Sequence, residues 1–256
     1  YSYPVVADTG EAARAINEFY TYLVDDTLAF TVPIMAESLE TTEVQSYANV
    51  TSQITCLNDE YFSVLVVTET FLGAAATEVY AGHTFLLEGE RAGLATSLPR
   101  LLGILDDQEA DEWMQDRQTA RANDLVWGLV WSIIEEQRQN GEISFDPDLT
   151  YEMLTQDFYP EEDFYLDENG NPVFFIQAAT IASAADGVLK YPFTLEELQE
   201  KGVWTAAAAL EGEDAFTADL SGPLCLVIGS EGDGISRLTL EKCDRRLTLP
   251  MKGHID

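Results

Sequence analysis

The spacing of apolar positions changes period several times along the chain, and the changes divide it into elements. In "GEAARAINEFYTYLVDDTLAF", Ala13, Ile16, Phe19, Tyr20, Leu23 and Leu28 recur near a 3.6-residue period. This predicts an amphipathic helix starting at Thr9-Gly10. "SYANVTSQITCLND" and "YFSVLVVTETFLG" are extended runs of Val, Ile, Thr, Tyr and Phe, broken by Asn58-Asp59, and predict two strands. "VYAGHTFLLEGERAGLATSLPRLLG" predicts a third strand, a glycine-bearing turn and a helix entry capped by Ser97, with Pro99 in its first turn. The pattern is helical again from about Asp106 to Asn140, with Gly141 as the stop. Trp127 and Trp131, four residues apart in that helix, are expected in the core. "DFYLDENGNPVFFIQAAT" predicts an aromatic hairpin turning at Glu168-Asn169-Gly170-Asn171.

Helix, strands, helices and strands in that order specify an α+β fold, an antiparallel sheet with packed helices. Near Pro192 the grammar changes. "TLEELQEKGVWTAAAALEGEDAFTADLSGPLCLVIGSEGDG" runs short helix, strand, acidic loop, buried strand and Gly-rich turn, and "ISRLTLEKC" follows as a helix. The unbroken apolar run "LCLVIG" predicts a central parallel strand. A boundary at 190–196 then separates an α+β domain, 1–193, from a partial α/β segment, 194–256.

Apolar content of 46% and aromatic content of 11% exclude a disordered chain. The net charge of −33 narrows the partners. Up to Phe193 there are 7 basic and 34 acidic residues, and from Thr194 onward 6 and 12. Such a surface repels phosphate backbones and favours cations or basic proteins, besides keeping the chain soluble. Cys56, Cys225, Cys243, His83 and His254 form no zinc-ligand spacing, so no metal is expected. No run approaches eighteen apolar residues, so no membrane span is expected. Neighbouring carboxylates such as Asp106-Asp107 and Glu161-Glu162-Asp163 arise by chance among 46 acids and read as solvated faces. Asp167 to Asn171 lacks the later Glu of a calcium loop and reads as a turn. His83 has no nucleophile motif beside it and reads as a strand-end residue.

Three sets of residues carry a family resemblance: Gly229-Ser230-Glu231-Gly232-Asp233-Gly234 within "ADLSGPLCLVIGSEGDGISRL", then Cys243-Asp244, then Leu249-Pro250-Met251-Lys252-Gly253. From about Thr194 the chain resembles the second half of the SPOUT-class knotted RNA methyltransferases, in their SpoU/TrmH-type 2′-O-ribose branch. The resemblance implies a cytoplasmic enzyme acting on tRNA or rRNA with S-adenosylmethionine. Gly229, Gly232, Leu249 and Met251 would then line the cofactor pocket with Glu231, the motif glutamate and sole catalytic candidate. The family's first motif, with its Asn and catalytic Arg, has no counterpart upstream: Arg121 and Arg138 fall in a helix of the preceding domain, and Lys190 lacks the context. Its third motif, Ser-Leu-Asn with a closing helix, is expected just after Asp256, which leaves the knot incomplete. Methyl transfer needs ribose hydroxyl and sulfonium methyl held in line by a whole, rigid site. The segment is therefore expected to be degenerate and to hold no cofactor.

Residues 1 to about 195 resemble another family. The order "AINEFYTYLVDD", "YFSVLVVTETFLGAAATEVYAGHTFLLEGE", "LPRLLG", "DFYLDENGNPVFFIQAAT" is similar to the extracytoplasmic domain of RsiV-type anti-sigma factors, which also accompanies some cell-wall deacetylases. That family's Gly-Gly-Ala-His-Gly-like turn reads Gly73-Ala74-Ala75-Ala76-Thr77 here, without its histidine. The resemblance implies an extracytoplasmic or cell-surface binding module without catalysis. Its partner would be a basic protein or cell-envelope ligand, steered by the acidic surface. A chain opening on Tyr1 reads as a trimmed or mature fragment. The leading expectation is non-catalytic recognition, and the alternative is the RNA methyltransferase. Only the stretch from Gly234 to Asp256, with five basic and three acidic residues, is locally positive as RNA would require.

Overall fold

β1 (Tyr47–Leu57), β2 (Tyr61–Phe71) and β3 (Ala76–Leu86) form an antiparallel meander in that order. The structure is a computed structural model and describes residues 2–33, 36–37, 47–71, 75–103, 112–201, 204–218, 220, 224–229 and 234–249. It divides into two compact units, residues 1–96 with 130–193 and residues 97–129 with 194–256.

In the first unit, Asn58 makes the β1–β2 turn by accepting the N–H groups of Glu60 and Tyr61 on its Oδ1 at 2.9 and 2.7 Å. Helix α1 (Glu11–Asp26) follows Gly10 and lays Ile16 and Tyr20 on Val50, Phe62, Val64, Val66 and Phe85 of the meander. A second antiparallel sheet, of order β4-β5-β6, joins β4 (Phe164–Leu166), β5 (Pro172–Ile176) and β6 (Leu189–Pro192). All five β5 residues are buried. The β4–β5 hairpin is an Asx turn, in which Asp167 Oδ1 accepts the N–H groups of Asn169 and Asn171 at 2.9 Å each. The two sheets meet where β3 crosses β4. A β-carbon on Gly82 would stand 1.7 Å from the Phe164 carbonyl oxygen, so only a bare α-carbon fits. Beside it, buried Ser63 bonds Thr84 Oγ1 at 2.9 Å and accepts the Leu166 N–H at 3.0 Å.

The second unit holds α2 (Leu98–Leu101), α5 (Leu195–Lys201), α6 (Arg237–Lys242) and a parallel sheet of order β8-β7-β9. These strands are β7 (Trp204–Asp214), β8 (Leu224–Val227) and β9 (Arg245–Thr248). Helix α3 (Glu112–Asn140) gives its first eighteen residues to this unit and the rest to the first, where α4 (Tyr151–Asp157) also lies.

Three expectations change. Ser97 precedes α2, but its hydroxyl makes no capping bond. Trp127 and Trp131 are half-buried, while the fully buried stripe of α3 is Ala122, Val126, Val130 and Ile134. Small and branched side chains let the helix backbone approach its neighbours, which leaves the wide indoles on the flank. There Trp131 meets Tyr151 edge-on at 5.8 Å, and the Arg138 guanidinium lies 5.7 Å from its ring. Finally, "LCLVIG" is parallel but forms the edge strand β8, with Leu226 and Ile228 exposed; the centre belongs to β7, whose Ala206 and Ala207 are buried.

Two titratable groups of the first unit give it an acid response. His83 packs edge-on against Phe19 at 5.1 Å, with Nδ1 3.4 Å from the Tyr20 hydroxyl. Burial lowers its pKa to about 4, so between pH 6.5 and 4 the unfolded chain takes up a proton that the folded one refuses. The resulting stability is present above pH 6.5 and is lost as pH falls through 4, a change of about 3 kcal/mol. Asp163 has the opposite sign: burial raises its pKa to about 6, so its contribution grows as pH falls from 6. The two nearly offset each other in the wild type, so its urea midpoint should change little between pH 7 and 4, whereas it should rise toward acid in His83→Gln and fall toward acid in Asp163→Asn. A wild-type slope in His83→Gln would refute the assignment.

Candidate functional site

At the carboxyl ends of β8 and β9 the chain leaves the sheet at Ile228-Gly229 and Leu249, and both exits line one cavity of about 1130 Å³. Leu220, Leu224, Leu226 and Ile235 make its wall predominantly aliphatic. Crevices outside the carboxyl ends of parallel strands are where α/β sheets take up ligands. The turn opening at Gly229 closes on itself. A β-carbon there would stand 2.2 Å from the Gly234 carbonyl carbon and 2.5 Å from the Ile235 nitrogen, so the two backbones need glycine to touch. Ser236 then caps α6, accepting the Thr239 N–H on its hydroxyl at 3.1 Å.

The opposite end of the same sheet is built around Asp244, which is only 1% exposed. Its Oδ2 accepts the Thr205 N–H at 2.7 Å and the Thr205 hydroxyl at 2.6 Å. Its own N–H donates to the Thr205 carbonyl at 2.8 Å, and its carbonyl accepts from Gln118 Nε2 at 2.8 Å. Arg121 Nε lies 3.4 Å from Oδ1. Arg121 is thus held by Asp244, at the amino ends of the strands and not at the cavity. Arg138 lies in the first unit, on Glu135 and the Leu149 carbonyl. Lys190, on β6, sits 5.0 Å from the Tyr80 ring centroid.

Of the residues singled out from sequence, Gly229 and Leu249 come together on the cavity wall. Glu231, Gly232 and Met251 lie outside the described residues. Two lining residues were invisible to sequence reading, Glu211 and Arg246. They reach the cavity through an irregularity in the β7–β9 ladder, and nothing in a single sequence marks its position. Among the described residues, no group of three or more His, Cys, Asp or Glu is placed to hold a metal ion, and Cys56, Cys225 and Cys243 are free thiols.

The model of the SpoU rRNA Methylase family matches residues 179–256. The match begins ahead of the junction between the units at Phe193 and Thr194, so its first residues build β6 in the antiparallel sheet of the first unit. Two solved structures of DUF3298 family proteins are weakly similar to the chain. The one from Bacteroides fragilis has 16% identity and a TM-score of 0.37, covering 75% of this chain and 69% of that one. The one from Pseudomonas aeruginosa has 12% and 0.35, covering 64% and 66%. Both scores lie below the level of a shared fold. Relatives in sequence are closer. The 23S rRNA (guanosine-2′-O-)-methyltransferase RlmB of Ralstonia nicotianae is 48% identical over 25% of this chain and 26% of that enzyme. The RlmB of Pseudomonas putida is 46% identical over 24% and 25%. The chain spans about a quarter of the length of these relatives, and over that quarter it is similar to SpoU-type RNA methyltransferases.

Proposed function

We propose that the cavity at the ends of β8 and β9 binds S-adenosylmethionine, as the cofactor-holding part of a SpoU-type RNA 2′-O-ribose methyltransferase. One observation carries the reading: Gly229 and Leu249, joined to the relatives by sequence, line the same cavity. Its size and aliphatic wall suit a nucleoside. In this reading Gly229, Gly232, Leu249 and Met251 hold the cofactor, which supplies the methyl group when bound, and Glu231 serves the substrate side. Cofactor binding is what the residues support; the family's catalytic arginine has no counterpart in the sequence. The free thiols suit the reducing compartment in which tRNA and rRNA are found.

The test is calorimetric titration of the whole chain with S-adenosylhomocysteine. Micromolar binding is expected. Leu249→Asp places a charge on a side chain 62% exposed, which leaves folding intact, and should weaken binding at least about tenfold. No heat from folded protein at millimolar ligand would overturn the reading.

A second reading concerns the first unit, in which 4 basic residues face 27 acidic ones, against 9 and 19 in the second. That asymmetry favours recognition of a basic protein; a non-catalytic role in an extracytoplasmic or cell-surface setting follows only from the resemblance of this part to the RsiV-type domain. Among the described residues no helix is long and apolar enough to cross a membrane. Lysozyme serves as the probe. Specific recognition predicts binding that weakens in 0.5 M salt but survives it, whereas complete loss leaves only charge attraction.

A further inference from the structure

The meander β1-β2-β3 has two edges, and their outward backbone groups are used differently. On β3 they are taken. The Tyr80 N–H donates to Gln177 Oε1 at 3.0 Å, and the Tyr80 carbonyl accepts from Gln177 Nε2 at 2.8 Å. The Thr84 carbonyl accepts the Thr96 N–H at 2.8 Å. Leu86 donates to the Leu94 carbonyl at 3.0 Å and accepts the Gly93 N–H at 2.7 Å. On the outer side of β1, by contrast, the Val50 carbonyl accepts the Ser2 N–H at 3.0 Å, and no other backbone hydrogen bond is made there among the described residues. A residue of an antiparallel strand turns its N–H and C=O to the same side, and the side alternates along the strand. Val50 faces outward, so Ser52 and Ile54 do as well, and Leu57 follows after the register shift at Ile54/Cys56. These residues present donors and acceptors that β2 does not use.

The side chains of this edge say what fits it. Ile54 is 53% exposed and Leu57 67%. "YANVTSQITCL" carries no charge and no proline, the two devices that keep sheet edges from pairing with one another. In a chain of net charge −33, two copies repel wherever acids face acids, and β1 is an eleven-residue stretch where they do not. A basic partner gains nothing from uncharged side chains, whereas a strand laid antiparallel to itself about a two-fold axis is self-complementary by symmetry. We infer that β1 is a self-association edge, to which a second copy of this chain adds its own β1 in antiparallel pairing, so that two meanders become one continuous sheet. An axis at Gln53 sets Ser52 of one copy opposite Ile54 of the other, and each then donates to and accepts from its opposite residue. The contact is short and belongs with the weak, transient class of interfaces.

Sedimentation equilibrium of the whole chain tests it, at concentrations up to about 500 µM and at low and high salt, about 0.05 and 0.5 M. A monomer–dimer equilibrium is expected, tighter at high salt by about tenfold or more, because salt screens the repulsion between two acidic chains. Ser52→Pro removes an N–H that β2 does not use, so the β1–β2 ladder is kept, and it should weaken the dimer at least about tenfold. Ile54→Lys places a charge at an exposed edge position and should weaken the dimer to a similar extent. Circular dichroism checks that each variant is folded, and one folded variant suffices. Wild type that stays monomeric at the highest concentration in high salt would overturn the inference. So would a dimer that the folded variants leave unchanged, since it would then form through another surface.

Discussion

Gly82→Ala is expected to destabilise the first unit by about 4 kcal/mol or more, enough to leave it largely unfolded at room temperature. The added β-carbon would stand 1.7 Å from the Phe164 carbonyl oxygen and 2.6 Å from its carbon. These are backbone atoms and cannot rotate away as a side-chain tip could. Moving them pulls β4 from its register with β5 at Phe164↔Phe174 and breaks the bond from the Leu166 N–H to buried Ser63. An unmade bond there leaves polar groups buried and unpaired, which adds to the steric cost. Gly128→Ala is the control. It sits inside α3 with nothing within 4 Å of the new carbon, and should stabilise by about 0.5–1 kcal/mol through helix propensity alone. Urea midpoints followed by circular dichroism decide the matter. A Gly82→Ala midpoint close to wild type would mean that β3 and β4 do not touch as described.

Asp244→Ala should cost the second unit about 3 kcal/mol or more. The carboxylate is buried and satisfies both the N–H and the hydroxyl of Thr205, thirty-nine residues earlier. Truncation leaves those donors facing a cavity and Arg121 without its partner carboxylate. Arg121→Ala leaves both Thr205 bonds in place and should cost less than Asp244→Ala, about 1–2 kcal/mol, since the guanidinium is 41% exposed while the carboxylate it faces is buried. A ratio near one between the two losses would show that the ion pair, and not the Thr205 bonds, fastens β7 to β9. Thr205→Val removes only the hydroxyl bonds and keeps the backbone N–H bond to Asp244, so its loss should be smaller than that of Asp244→Ala, about 1–2 kcal/mol.

Local chemistry was readable in the sequence. The turns at Asn58 and Asp167 appear where the sequence puts them, because an Asx side chain bonds backbone groups two or three residues away and needs no distant partner. The face of α1 follows from its 3.6-residue period, which survives any tertiary arrangement. Reading failed where the answer depended on what packs alongside. A tryptophan pair at helical spacing is as compatible with a flank as with a core, and the neighbours of α3 admitted Ala122, Val126, Val130 and Ile134 instead. An unbroken apolar strand such as β8 looks central, yet β7 takes that place because it pairs on both sides.

The candidate site divides the same way. Gly229 and Leu249 were legible only through the resemblance of Gly229–Gly234 and Leu249–Gly253 to the motifs of SpoU-type enzymes, since a glycine turn after a strand is by itself common. Glu211, Arg246 and the Thr205–Asp244 bonds were not, because each depends on register between strands tens of residues apart. By itself the sequence determined the acidic character of the chain, the α+β order followed by α/β grammar, and the similarity of its last part to SpoU-type enzymes. Only the tertiary structure decided that Gly82 must be bare, that Arg121 meets Asp244 at the amino ends of the strands, and that an irregular β7–β9 ladder puts Glu211 and Arg246 on the cavity wall. The physical reason is range: turns and periods are set by neighbours within a few residues, whereas close approach, burial and register are set by whichever distant segment arrives alongside.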